Sequence, residues 1–222
     1  MASSTSTASA SASAPAPAAF EFPREYSFPP FFTRQTNLNT HHAQLVKWSS
    51  LVLSYCQHHR IFKLPLSPTA SSTSSSLPSA ITGSGGNPNA SAEDVFFNRK
   101  LNRRLALADV REVIDFMRKD GRAEYVGGGD GVGGAAGAGG DVVWVYWRTP
   151  EEWAALVEGW VDETAQKGTV LTLYELTEGE GTRGTEFHGL DQDLLQKALN
   201  VLVRRGKAQI FGQEDSQGVK FF

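Results

Sequence analysis

Residues 106–126 read Ala-Leu-Ala-Asp-Val-Arg-Glu-Val-Ile-Asp-Phe-Met-Arg-Lys-Asp-Gly-Arg-Ala-Glu-Tyr-Val, and residues 191–211 read Asp-Gln-Asp-Leu-Leu-Gln-Lys-Ala-Leu-Asn-Val-Leu-Val-Arg-Arg-Gly-Lys-Ala-Gln-Ile-Phe. The two stretches align at a fixed offset of 85. Val110 falls on Leu195, Val113 on Ala198, Ile114 on Leu199, Met117 on Leu202 and Gly121 on Gly206. Apolar residues three and four apart place one buried stripe on a helix. A glycine just after basic residues suits a left-handed C-terminal cap, where the cations also face the negative end of the helix dipole. Arg122-Ala123 and Lys207-Ala208 then lead into a strand both times.

Working outward, each half repeats one order of elements. In the first half, Leu45, Trp48, Leu51, Val52, Tyr55 and Cys56 mark an amphipathic helix over residues 40–60, with Asn39 or Thr40 as its cap. A short strand at residues 61–64 follows. A short helical patch around Phe96, Phe97 and Asn98 precedes the helix at 107–120, and strands at 123–126 and 141–147 close the half. In the second half, Thr149-Pro150-Glu151-Glu152 opens a helix: the threonine can cap, the proline suits the first turn, and Glu152 completes a capping box. Trp153, Leu156, Val157, Trp160 and Val161 form its expected buried face. A strand at 170–173, a short helix from Tyr174, the helix capped by Asp191, and a hairpin at 207–211 and 218–222 complete the set. Helix, strand, helix, helix, hairpin is the order of a winged helix. The expected class is α+β, with two tandem winged-helix domains at 37–147 and 148–222.

Three stretches lack the apolar residues needed to pack and are expected to be disordered. These are an uncharged Ala/Ser/Thr/Pro tail at 1–19, an uncharged insertion at 64–92, and a tract at 127–140 with nine glycines in fourteen positions. Roughly 160 residues remain, enough for two domains of about 80 residues. Between tail and domain, residues 20–36 hold six aromatics and three prolines within their first thirteen positions. Proline fixes φ and biases its predecessor away from helix, so an extended, partly polyproline II segment is expected. Phe20, Phe22 and Tyr26 either fold back on the domain or face a partner. Phe28, Pro29, Pro30, Phe31 and Phe32 are read as a partner-docking patch, because dense aromatics on a stiff backbone suit a groove.

Of the 222 residues, 21 are Lys or Arg and 24 are Asp or Glu, giving a formal charge of -3. That balance argues against bulk nucleic-acid binding. Asp191 and Asp193, at the helix end that would enter a groove, would repel phosphate. Arg99, Lys100, Arg103 and Arg104 form a basic cluster that reads as a solvated face. A winged-helix nucleic-acid binder is the alternative function. No 18-residue apolar run, secretory signal or transit peptide is recognised. The single cysteine, Cys56, lies on an apolar helix face and reads as an inert buried thiol in a reducing compartment. His41-His42 and His58-His59 do not face each other in pairs along a helix, so no metal site is expected. The glycine tract lacks the Gly-Lys-Ser/Thr ending of a phosphate loop. Asp191 and Asp193 diverge along a helix, no serine stands in a nucleophile motif, and His188 lacks a nucleophile partner. No catalytic residue or cofactor is expected.

Several tracts together resemble one family. Phe22-Pro23 with Phe28-Pro29-Pro30-Phe31-Phe32-Thr33, then residues 147–153, then Leu171-Thr172-Leu173-Tyr174-Glu175-Leu176, then residues 186–191, then the ending Gly218-Val219-Lys220-Phe221-Phe222 are similar, in order, to the vacuolar protein-sorting-associated protein 25 family, the smallest subunit of ESCRT-II. The resemblance implies a non-catalytic subunit present in two copies per complex. It implies docking onto two larger ESCRT-II subunits through the Pro-Pro-Phe-Phe segment, and contact with an ESCRT-III subunit through the second winged helix. The implied process is sorting of ubiquitinated cargo to multivesicular bodies, by a cytoplasmic protein recruited peripherally to endosomal membranes and touching lipid only indirectly.

Overall fold

The computed structural model describes residues 19–66, 95–126, 142–212 and 217–222. The expectations for residues 1–18, 67–92 and 127–140 lie outside these. The described residues build two hydrophobic cores, one in each half of the chain.

The first core is organised by helix α1 (Leu38–His59), which buries Trp48, Leu51, Val52, Tyr55 and Cys56 along one flank. Its cap is Asn37, whose side chain accepts from the backbone of Asn39 and Thr40, two or three residues before the position expected. Strand β1 (Lys63–Pro65) follows at once. Leu64 and Leu66 are buried, so the packed chain continues past the expected start of the insertion at 64. Of the helical patch expected there, Phe96 is helical, while Phe97 and Asn98 form strand β2, which pairs antiparallel with β3 (Arg103–Arg104). Asn98 is buried and donates to the carbonyl of Tyr26 at 2.7 Å, a tertiary bond that explains why its backbone leaves the helix. Helix α2 (Leu107–Lys119) buries Val110, Val113, Ile114 and Met117, and β4 (Ala123–Tyr125) and β5 (Val142–Val145) complete a sheet of order β1-β5-β4.

The second core repeats the arrangement. Helix α3 (Pro150–Glu163) opens with the full Thr149–Glu152 capping box. Strand β6 (Val170–Thr172) leads into short helix α4 (Leu173–Glu178), which carries a second capping box between Thr172 and Glu175. Helix α5 (Gln192–Arg204), capped by the Asp191 carboxylate, precedes β7 (Ala208–Phe211) and β8 (Gly218–Phe221). The sheet order is β6-β8-β7, the same as the first half.

The offset of 85 survives at the level of single bonds. Gly121 and Gly206 both take the left-handed conformation, with φ of 68° and 71°. The next residues, Arg122 and Lys207, donate to the carbonyls of Met117 and Leu202 at 2.8 and 2.9 Å. These are paired six-to-one closures of two helix ends. Ala123 and Ala208 are both buried because the strand leaves each helix directly over its own core. The fold is α+β, two winged helices in tandem.

Candidate interaction surfaces

The N-terminal segment is folded onto the first core. Two 3-10 turns, Arg24–Ser27 and Pro29–Phe32, replace the extended form expected from its prolines. Phe31 and Phe32, expected to project toward a partner, retain 6% and 5% of their exposure. Phe31 stacks on Trp48, with centroids 4.4 Å apart and planes 7° from parallel, and Phe32 meets the same indole edge-on at 5.4 Å. The cause is polar as well as apolar. The Phe31 carbonyl accepts from the Trp48 indole at 3.1 Å and from the Gln44 amide at 2.8 Å, so burying those donors requires the segment. Tyr26 is buried and stacks with Phe22, and Phe20 packs against Tyr55. Arg34 holds the end of the segment to Glu112 of α2, through bonds of 3.0 and 3.2 Å.

What remains outside is Phe28, 60% exposed, with Pro29 and Pro30 also exposed. A hollow of about 190 Å³ opens beside them, lined by Phe28, Pro30, Phe31, Ala43, Gln44 and Lys47. Of the five residues expected to dock, Phe31 and Phe32 are buried in the first core, and Phe28, Pro29 and Pro30 stay exposed.

A second surface lies between the halves. Phe62, just before β1, and Trp144 and Tyr146, at the end of β5, belong to the second core. Trp147 stacks on Phe62 at 4.5 Å and meets Trp153 edge-on at 6.4 Å. Lys63 reaches Asp191 at 3.2 Å and Asp193 at 2.7 Å, while lying 4.5 Å from the Trp144 ring centroid. Lys197 reaches Glu124 at 2.7 Å and donates to the Tyr146 hydroxyl at 2.9 Å. Arg122 forms two bonds to Glu152, at 3.0 and 3.3 Å, which bridge the first β strand pair to the start of α3. Arg60 donates to the carbonyls of Glu186 and His188. Burial alone would lower the Lys63 ammonium and raise the Glu124 carboxyl. Their hydrogen-bonded partners outweigh that, so the Lys63 ammonium is raised, the Glu124 carboxyl is lowered, and the charged form of each is favoured.

These contacts decide what the third helices can do. The start of α5, with Asp191 and Asp193, is turned onto the first sheet. The matching flank of α2 is covered at Glu112 by Arg34 and by His41, 2.9 Å away. The start of α5 is thereby turned away from any groove, whereas the first residues of α2, Leu107 and Ala108, stay exposed. The residues that close both flanks, Lys197 and Glu112, occupy equivalent places at the offset of 85. That shared place was the one signal in the sequence that could have singled them out. Among the described residues no cluster of His, Cys, Asp and Glu could hold a metal ion, and no helix is long and apolar enough to cross a membrane. Cys56 is fully buried, and burial pushes its thiol far above the usual range. His188 accepts or donates at Thr182, 3.1 Å away, as a loop brace at the start of α5.

The family model for the ESCRT-II complex subunit matches residues 25–191. Vacuolar protein-sorting-associated protein 25 of Xenopus laevis is 36% identical over 203 residues, covering 91% of this chain and 99% of that protein. This chain belongs to the vacuolar protein-sorting-associated protein 25 family of ESCRT-II subunits. The Homo sapiens relative is 36% identical over 204 residues, covering 92% of this chain and 98% of that protein. Among solved structures, a subunit in the crystal structure of the endosomal complex ESCRT-II (VPS22/VPS25/VPS36) superposes with a TM-score of 0.68. The identity there is 25%, over 90% of this chain and 98% of that one. Family membership places the chain in endosomal protein sorting by protein–protein contact, and the tandem winged helix is the fold its relatives share.

Proposed function

We propose that this chain is a non-catalytic assembly subunit of ESCRT-II, joining two larger subunits and presenting its second winged helix to an ESCRT-III subunit. The partners of its relative in the solved complex, VPS22 and VPS36, support the first contact. Phe28, Pro29 and Pro30 form the docking edge, and two copies serve one complex. The single observation that carries the reading is the split of the N-terminal segment. Buried Phe31 and Phe32 anchor it, and an exposed Phe-Pro-Pro edge stands beside an apolar hollow. A backbone ordered before binding loses less entropy on docking. The domain limits at 37–147 and 148–222 fit this division of labour, with the first unit facing the larger subunits. The assembly works in sorting ubiquitinated cargo to multivesicular bodies, as a cytoplasmic particle recruited to endosomal membranes through its other subunits.

Co-expression with the two larger ESCRT-II subunits tests the reading. A single gel-filtration species with two copies of this chain is expected. Elution of this chain apart from both subunits would overturn it.

A further inference from the structure

The β2-β3 hairpin concentrates positive charge that the docking edge and the contact between the halves do not use. Arg99, Lys100, Arg103 and Arg104 fall within residues 99–104, and all four are exposed, in a chain whose formal charge is -3. The turn that presents them is fixed by buried bonds. The Asn98 side chain donates to the Tyr26 carbonyl at 2.7 Å and accepts from the Leu101 backbone at 3.1 Å. Leu105 donates to the Phe96 carbonyl at 2.9 Å. The hairpin is thereby held to the N-terminal segment. Where they meet, a hollow of about 460 Å³ opens, walled by Phe20, Phe22, Tyr26, Tyr55 and Phe97, with Arg99 and Lys100 also lining it. Its size is ordinary for a ligand site, roughly 300–1,000 Å³. Among the described residues no carboxylate lines it, and it shares no lining residue with the hollow beside Phe28. Arg103 stands across the hairpin from Asn98, next to this opening.

We propose that this hollow binds an extended acidic peptide segment of a partner protein, with one aromatic side chain seated among the rings and flanking carboxylates set against Lys100 and Arg103. Charge complementarity selects the acidic ligand, and the guanidinium of Arg103 suits a carboxylate by its paired donors. The rings select a peptide over a nucleic acid. Phe22 already stacks on Tyr26 at 4.1 Å, and Arg104 lies over the Phe97 ring, 5.0 Å from its centroid, so a face of each ring that a base would need is occupied. Phe20 meets Phe22 and Tyr55 edge-on, at 5.0 and 5.2 Å, and an incoming aromatic side chain continues that packing. An anionic bilayer would satisfy the cations, but its polar headgroups would leave the aromatic wall unused.

The test is an amide NMR titration of the full chain with a short synthetic peptide of aspartate and glutamate around one phenylalanine. Saturable shifts centred on residues 20–26 and 97–104 are expected. Exchanging the peptide's phenylalanine for serine, or its acids for their amides, should each weaken binding by more than about tenfold. Lys100→Glu with Arg103→Glu should do the same at an unchanged melting temperature, since both side chains are exposed. That variant should still co-elute with the larger ESCRT-II subunits, because the docking edge lies elsewhere. Failure to co-elute would make this face part of that assembly and overturn a separate site. Wild-type affinity in the double variant, or for the amide peptide, would overturn the charge pairing and the proposal with it. Absence of shifts with the acidic peptide would overturn the peptide site. Binding to phosphatidylserine vesicles or to polyuridylate in place of the peptide, lost in the double variant, would make the occupant a membrane or an RNA and overturn the peptide partner.

Discussion

Glu112 and Lys197 hold the same place in the two repeats with opposite charge, and each recruits what closes its helix flank. Arg34 and then His41 hydrogen-bond the Glu112 carboxylate and hold it down to about 2. A carboxyl whose folded value lies below its unfolded one of roughly 4.3 stabilises the fold above that unfolded value. The contribution is fully present above about pH 5 and is lost as pH falls through 4 toward 2. The group is a third exposed, so solvent screening keeps its worth below about 1 kcal/mol. Glu112→Gln should therefore lower the urea midpoint at pH 7 and match the wild type near pH 2. A deficit equal at both pH values would show that the carboxylate charge plays no part. Trp153 and Trp160 separate two fates on one helix face. Trp153 is buried, and Trp153→Ala should cost about 3–5 kcal/mol. Trp160, expected from its spacing to be equally buried, is only partly buried, edge-on to Phe187, so Trp160→Ala should cost less in denaturant titration.

Among the elements, those set by local chemistry were legible before any coordinate. The Thr149 capping box, the glycine stops at 121 and 206 and the buried stripes of α2 and α5 all follow from spacing within a few turns of chain. Thr149→Ala should lower stability by about 1 kcal/mol, read from the thermal or denaturant midpoint. What spacing could not reveal was tertiary. Prolines in 23–30 pointed to an extended strand, but the indole of Trp48 and the amide of Gln44 need an acceptor, and the Phe31 carbonyl answers both. Of the five residues expected to dock, Phe31 and Phe32 are therefore buried, and Phe28, Pro29 and Pro30 remain exposed. Phe31→Ala with Phe32→Ala should destabilise the first core by several kcal/mol, since two buried rings are removed from one cluster. Circular dichroism of the free protein checks it. A variant with the wild-type midpoint would return these rings to the surface.

Across the molecule, the two winged helices meet over Phe62, Trp144, Tyr146 and Trp147, and charge pairs at Lys63, Arg122 and Lys197 fix their register. The sequence showed two repeats but not this contact, because a strand with apolar residues on both faces reads alike whether it is covered by its own core or by a neighbour. Lys63→Ala with Lys197→Ala should loosen the contact and raise amide hydrogen exchange along β5 and the start of α5 together. The docking edge carries the central claim, and the most direct measurement leaves the fold alone. Calorimetric titration of the larger ESCRT-II subunits with a Phe28→Ala, Pro30→Ala variant should show affinity reduced by more than about tenfold, or 1.4 kcal/mol, at an unchanged melting temperature. Wild-type affinity for both subunits would contradict the account.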